Sequence, residues 1–557
     1  ILDDGREPGM KMLIKGGRII DPANNLDMKG DILIQDGTIR EIADSIDEQG
    51  TQVLNAEGKI VCPGFIDAHI HIESALVSPA EFVKATFPHG TTTIITDPHE
   101  IANVMGTDGI EYMLEASENL PVDVYFMLPS CVPATALDEA GAVLDYRAID
   151  PFYKNSRVLG LAEMMNYEGV VEGDGDVLKK LTAAKMHNMK IDGHAPGLCG
   201  NGLNAYVASG VSSDHECSEL SEAMEKLRKG QFIMIREGTA ARNLEALAPL
   251  LKGKCADRCM FCTDDKHPSD LLEKGHIDYI IKKAISLGVN PITAVKAASF
   301  TAAQHFRLDD RGAIAPGYAA DLAIIDNFEN FGVEKVFKNG ELLFDGKMKV
   351  FAEPEIEPEL KQRAHNSFRI HELSAKDFVS ERAMGLIGLI PQEIVTTDCG
   401  FADGIDVDRD ILKIAVIERH KNTSHIGLGY IKGYGLKEGA VATSVSHDSH
   451  NIIALGTSDE EIAVAANRVL QLDGGIVVMK DGKALAELAL PLAGIMSDDT
   501  LENVNLALEN AKDCAFELGV SSGIDPFMTL SFMSLPVIPA LRLTTHGVYD
   551  VLKGKLI

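Results

Sequence analysis

The sequence predicts an α/β protein built around a (β/α)8 barrel, with a composite β-sandwich domain on its flanks and an additional C-terminal α/β domain. Three observations predict it. Eight strand-like apolar runs recur between Gly64 and Thr263, mostly about 20 to 35 residues apart with helical stretches between them, which is the rhythm of βα units. Short β-type runs with glycine turns precede these units and return after them. Residues able to bind metal stand at the ends of successive runs, as they do where barrel strands converge on one face.

Residues Ile1 to Gly9 carry no pattern and are expected to be a leader or an appended remnant, with Met10 or Met12 as a natural start. From Met12 onward the runs Met12 to Ile14, Arg18 to Ile20, Asp31 to Ile34, Thr38 to Ile42 and Val53 to Ala56 alternate with turn signals at Gly16-Gly17, Asp36-Gly37 and Glu57-Gly58. A matching fragment returns at Asp321 to Ile325, Val333 to Lys338 and Glu341 to Phe344, turning at Asn339-Gly340. Residues 10–62 and 315–350 are therefore expected to form one composite domain.

Residues 63–314 are expected to form the barrel. Its strands are predicted at Gly64 to His69, Thr91 to Thr96, Val122 to Leu128, Val158 to Glu163, Lys190 to Gly193, Gly210 to Ser213, Phe232 to Ile235 and Met260 to Thr263. Helices are predicted at Asp108 to Asn119, Gly175 to His187, Glu216 to Lys229 and Ala241 to Leu251. A doubly wound sheet shares this periodicity, but the order of the ligands argues against it. Glu353-Pro354 and Glu357-Pro358 mark a linker to residues 351–557, where Ser458 to Leu470 reads as a helix and no phosphate loop or dinucleotide glycine pattern occurs.

At 557 residues the chain exceeds one compact core, and length alone suggests about three or four domains. A composition of 45% hydrophobic and 24% charged residues excludes a disordered chain. The 83 acidic and 52 basic residues leave a formal charge of -31, which disfavours nucleic acid and anionic membranes and suits a small neutral or cationic substrate. No run reaches the length of a membrane span and no signal peptide is legible, so a cytoplasmic protein is expected. Its nine cysteines read as reduced thiols; Cys255, Cys259 and Cys262 lack the regular spacing and fourth ligand of a zinc site.

The chemistry concentrates in Pro63-Gly64-Phe65-Ile66-Asp67-Ala68-His69-Ile70-His71-Ile72-Glu73, where alternation along a strand points His69 and His71 to the same side. A lone His-x-His pair is weak evidence, because many strands carry one. Further candidates follow at the other strand ends: Asp97-Pro98-His99-Glu100, Glu163, His194, Asp214-His215, Arg236-Glu237 and Asp264-Asp265. Each has a bland reading as a solvated terminus or loop residue; together they predict a metal site. Neutral imidazoles and ionised carboxylates suit iron, manganese or zinc, and a carboxylate such as Glu163 can bridge two ions.

These residues resemble the amidohydrolase superfamily and, within it, the adenine deaminase family of the long bacterial and archaeal type. The resemblance rests on the Pro63 to His71 stretch and its continuation to Ser74, on Thr96 to Val104, Gly193-His194-Ala195-Pro196, Ser213-Asp214-His215-Glu216 and Asp264, and on Ser446-His447-Asp448-Ser449-His450-Asn451 and Asp525 to Phe532. It covers the chain from Met12 onward. Glu163 stands where many superfamily members use a carboxylated lysine, which separates the chain from hydantoinases and dihydroorotases. The resemblance implies two divalent metal ions, manganese or iron with zinc as a further option, and hydrolysis of adenine to hypoxanthine and ammonia. It implies that His69, His71 and Asp264 hold one ion, that His194 and His215 hold the other, that Glu163 bridges them, and that a bound hydroxide attacks C6 while Asp264 moves protons. It also implies a homo-oligomer, with a dimer expected.

His99 and Glu100 are candidates for orienting ligands or touching the base, Arg236 and Glu237 for substrate contact, and His447 with His450 and Asn451 for covering the barrel mouth or forming a separate polar network. His71-Ile72-Glu73 spells H-x-E, but no P-C-x-x-C follows, which excludes the zinc deaminases of nucleic-acid bases. Two alternatives stay open. One is another amidohydrolase, an amino-sugar deacetylase or a deaminase of a different heterocycle; the other is a barrel that only binds.

Overall fold

The structure, a computed structural model, describes residues 11–47 and 49–557, so the expected leader lies outside the described residues. Eight parallel strands close into a barrel: β1 (Phe65–His71), β2 (Thr91–Thr96), β3 (Asp123–Leu128), β4 (Val158–Met164), β5 (Lys190–Gly193), β6 (Ser213–Asp214), β7 (Phe232–Arg236) and β8 (Cys259–Cys262). Strands β1 to β5 form one ladder and β6 to β8 another. Two contacts close the ring. Ser212 N donates to Ile191 O at 2.9 Å between β5 and β6, and Asp264 and Asp265, just beyond β8, pair with Ile70 and His71 of β1.

The sequence places these strands within two or three residues of their observed ends. Two differences have physical reasons. Strand β1 runs on to His71, because its last residues pair with Asp264-Asp265, a partner invisible to local pattern. Strand β6 is two residues long, and the expected run from Gly210 is a turn into it, Gly210 having φ +105°.

The barrel interior is sealed below by Ile66, Ala68, Met127, Met234 and Met260, packed against Phe306 and Leu308. Phe65 and Phe261 are wholly buried on the outer face beneath the helices, and each contributes about 1.5–3 kcal/mol by transfer. The histidines and carboxylates grouped around Glu163 lie at the other end. A register shift between Asp67 and Ile70, three residues opposing the step from Ile94 to Thr96, makes a bulge in β1. It changes the phase of the strand: Ile66 and Ala68 face inward below it, His69 and His71 above it. Asp67 is turned outward, accepts from Thr263 N at 3.1 Å and Thr263 Oγ1 at 2.5 Å, and faces His276 Nε2 at 3.0 Å. That clamp fixes the end of β8 immediately before Asp264.

Both flanks contribute to one eight-stranded sheet. Ile60–Pro63 pairs antiparallel with Leu322–Ile325, Cys62 opposite Ala323. The C-terminal part holds a second eight-stranded sheet, from Met384–Leu389 to Lys483–Ala489, with helices Asp459–Gln471 and Leu501–Glu517 packed on it. Ser458 caps the first of these through Glu461 N at 3.2 Å. One buried apolar cluster runs from Phe82 and Ile110 on the barrel helices to Leu412, Ile476 and Leu508, so the C-terminal part shares a core with the barrel. The third βα unit departs from the rhythm: residues 129–145 form a long loop before the short helix Tyr146–Ile149.

Candidate metal centre at the barrel mouth

Glu163, near the end of β4, is 3% exposed and stands between two groups of imidazoles. Its Oε1 lies 3.3 Å from His71 Nε2 and 3.4 Å from His99 Nδ1; its Oε2 lies 2.7 Å from His194 Nδ1 and 3.1 Å from His215 Nε2. Asp264 Oδ1 is 3.3 Å from His71 Nε2 and 3.7 Å from His69 Nε2. The rings of His69 and His215 stack at 4.4 Å. His69, His71, Glu163, His194, His215 and Asp264 therefore meet in one space, although they come from β1, β4 and the segments after β5, β6 and β8.

Burial raises the cost of charge on Glu163, but the charge of His194 and hydrogen bonds from His194, His215 and His71 override it and hold the carboxyl well below its usual range. Burial opposes ionisation of Asp264 too, and the Arg236 guanidinium overrides it. Burial, with the His215 ring alongside, pushes His69 well below the ordinary imidazole range, so its nitrogens stay available. His71 Nδ1 meets Asp97 O at 3.0 Å, which as N–H donor leaves Nε2 facing the carboxylates.

This donor set fits divalent metal. His69 Nε2 is fully buried with no hydrogen-bond partner, an arrangement that costs free energy unless a further group satisfies it. Its neighbours His215 and Asp264 offer donor atoms within 4.8 Å, as do His194 and His215 around Glu163. Open-sided sets of imidazole and carboxylate hold borderline metals.

Arg236 bridges rather than points into the mouth: it donates to Glu216 Oε1 and Asp264 Oδ2, and reaches Glu216 Oε2 at 3.1 Å. Glu216 also sits 3.3 Å from His215 Nε2 and 3.5 Å from His194 Nδ1. Glu237, the second substrate-contact candidate of this pair, is buried. It follows the last residue of β7 and pairs with Lys283 of the outer helix Ile277–Ser286 at 2.7 Å.

The Ser446 to Asn451 segment does reach the barrel. His447 Nδ1 meets Glu100 Oε1 at 2.6 Å and His450 Nε2 meets Glu100 Oε2. Ser446 N donates to His450 Nδ1 at 3.3 Å, which assigns the ring proton to Nε2. Asp525 caps helix Pro526–Met533 through Phe527 N and Met528 N, and that helix positions His447: His447 N donates to Ser531 O at 3.0 Å, and the Phe532 ring stacks on the imidazole at 4.9 Å. Behind the segment, buried Arg419 donates to the carbonyls of His450 and Ala493.

Burial works against charge on His447, and the Glu100 carboxylate more than offsets it, with Asp265 and Asp448 adding to the effect; the imidazole is pushed up to about 9. A raised value favours folding most below about 6.5, where the unfolded imidazole is charged as well, and the gain is lost as pH rises through about 9. Urea midpoints between pH 6 and 10 are expected to show a His447→Gln penalty of about 1–3 kcal/mol at the acid end that disappears at the alkaline end. A penalty independent of pH would refute the ion pair.

Beyond Asp97, one of the strand-end candidates, three buried groups at this mouth carry no assignment from sequence reasoning. Asp97, with one oxygen on His99 Nδ1 at 3.0 Å and the other without a partner, and Glu73, raised to about 7 by burial, lie inside motifs quoted for the resemblance. Glu216 directly follows His215 and reads as the start of a helix, yet the helix begins at Leu220. Asp448 is buried beside His99 and Glu100.

The amidohydrolase family pattern matches residues 60–343, and the adenine deaminase C-terminal domain pattern matches residues 392–555. The adenine deaminase of Desulfatibacillum aliphaticivorans is 44% identical over 97% of this chain and 95% of its own length. That of Bacillus subtilis is 41% identical over 97% of this chain and 95% of its own. Among solved structures, enamidase is 18% identical with a TM-score of 0.46, over 62% of this chain and all of that one. With one pattern on the barrel, the other on the part that supplies His447 and His450, and full-length relatives spanning both, the chain belongs to the amidohydrolase superfamily and, within it, to the adenine deaminase family.

Proposed function

We infer that the protein hydrolyses adenine to hypoxanthine and ammonia at the barrel mouth. The observation that carries this reading is Glu163, one oxygen toward His71 and the other toward His194 and His215, beside an Asp264 held by Arg236. The family implies a divalent metal. In our reading His69, His71 and Asp264 would hold one divalent ion, manganese or iron, and His194 and His215 a second, with Glu163 offering an oxygen toward each group. When bound, such ions act as Lewis acids that make hydroxide available near neutral pH.

The chain's own residues do the rest. Asp264, ionised and fixed by Arg236, accepts the proton of the attacking water as its oxygen adds to C6 and the ring nitrogen takes up a proton; passing a proton on to the exocyclic amine then lets the tetrahedral adduct collapse, the bond from C6 to that nitrogen breaking to release ammonia. His447 and His450, anchored on Glu100, close the mouth from the C-terminal side and limit access of bulk water. A cleft between Ser74, His267, Val445, His447, Phe527 and Met528 adjoins the centre. Burial lowers His267 to about 4, so that imidazole is neutral, while His447 and the Lys512–Asp525 pair give the cleft charged groups beside its apolar faces.

We read residues 10–62 with 315–350, 63–314 and 351–557 as the three domains. The nine free cysteines fit a reducing cytoplasmic compartment. No helix among the described residues is long and apolar enough to cross a membrane. A homo-oligomer, in its simplest form a dimer, completes the proposal.

The test is release of hypoxanthine and ammonia from adenine by enzyme loaded with Mn(II) or Fe(II), repeated after exhaustive chelation. Activity is expected to fall at least about a hundredfold on chelation and to return on adding metal back. Absence of turnover by the metal-replete enzyme, or turnover of N-acetylglucosamine 6-phosphate instead, would overturn the assignment.

A further inference from the structure

We propose that Glu139, His425 and His546 form a second, peripheral site for a divalent transition-metal ion, zinc being the best match, which fastens the barrel to the C-terminal part. Glu139 lies on the long loop after β3. His425 immediately precedes strand Ile426–Lys432, and His546 sits in the hairpin turn between Leu541–Thr544 and Gly547–Asp550. None of the three belongs to the centre at the barrel mouth.

The geometry is that of a metal site's donors. His425 Nδ1 is 2.8 Å from Glu139 Oε1 and 3.0 Å from Oε2, and His546 Nε2 is 3.9 Å from Oε2. The two rings lie with centroids 5.2 Å apart, tilted 57° to each other. One donor atom from each residue falls within 4.8 Å of the others. Around tetrahedral zinc, with bonds of about 2.0–2.2 Å, donor atoms stand about 3.3–3.6 Å apart, so small rotations of these side chains suffice. A plain His–carboxylate pair accounts for His425 but not for His546, whose approach at 3.9 Å is too long for a hydrogen bond.

The carboxylate is held as a ligand is held. Thr545 Oγ1 donates to Glu139 Oε2 at 2.5 Å, and Asn451 Nδ2 donates to the Glu139 carbonyl at 3.1 Å. The side chains of His425 and His546 are 49% and 37% exposed, so ions reach them from solution and water completes the coordination. Two imidazoles with one carboxylate select zinc-like ions over magnesium or calcium. Asn451 also closes the segment that carries His447 and His450 to Glu100. An ion at Glu139 therefore fastens the outer end of that same segment.

The experiment is calorimetric titration of zinc chloride into enzyme whose main centre is already loaded, for the wild type and for His546→Ala and Glu139→Gln. One additional ion per chain is expected for the wild type, with affinity reduced at least about tenfold in each variant. Cobalt(II) in place of zinc is expected to give tetrahedral absorption bands that His546→Ala abolishes. Retained circular dichroism and adenine turnover verify that the variants fold, and His425→Ala serves if either does not. No additional ion in the wild type, or equal uptake by wild type and folded variants, would overturn the site and leave Glu139 as a metal-free latch.

Discussion

Replacing Glu163 by Gln is expected to lower kcat/KM for adenine by at least about three orders of magnitude and to reduce the divalent metal retained per chain. Gln keeps the volume and one carbonyl acceptor, so packing around β4 survives. What it loses is the negative charge that faces His71 and His99 on one side and His194 and His215 on the other, where a divalent ion held by those imidazoles would need it. The charge of His194, with hydrogen bonds from His194, His215 and His71, keeps ionised a carboxyl that burial alone would neutralise. A loss of that size corresponds to about 4 kcal/mol of transition-state stabilisation. Metal analysis and steady-state kinetics on the same preparation decide the matter. A Glu163→Gln enzyme with full metal content and a modest kinetic defect would demote Glu163 to a structural residue.

Much of this architecture was legible because barrels write their strands as short apolar runs at nearly even spacing. The run from Val158 to Glu163 ends one residue short of the observed strand, and His194 and His215 follow directly on β5 and β6. What escaped the sequence depends on contacts between distant segments. The bulge in β1 is one: simple alternation puts His69 and His71 on a common side but does not say that Ile66 and Ala68, of the other parity, also face inward. Glu216 is another, because a carboxylate at the head of a helical pattern looks like an ordinary first-turn residue, while its partner Arg236 lies on a different strand. The Arg236-Glu237 pair shows the limit most plainly, since Arg236 ends β7 and Glu237 begins the turn beyond it, and only packing sends one to Asp264 and the other to Lys283. The union of His447 and His450 with Glu100, some 350 residues away in the chain, has no local signature at all.

Asp264→Asn is expected to reduce kcat by about two to four orders of magnitude while leaving KM for adenine within a few-fold, the pattern of a group that acts in the transition state. Asp264 occupies φ +62°, a left-handed conformation that Asp and Asn tolerate better than most residues, so the variant should keep the local backbone. The clamp of Asp67 on Thr263 and the ladder to Ile70 hold that backbone independently of the side chain. The charge, however, is what Arg236 stabilises and what accepts a proton. Arg236→Met tests the coupling: alone it should cost about tenfold to a hundredfold in kcat, because Asp264 loses its anchor, yet in the Asp264→Asn background it should cost far less. Additive losses in the double variant would mean that Arg236 acts on the substrate directly. Near-complete non-additivity would place it behind Asp264, holding the carboxylate still and ionised, as its two hydrogen-bonded acids, Glu216 and Asp264, imply.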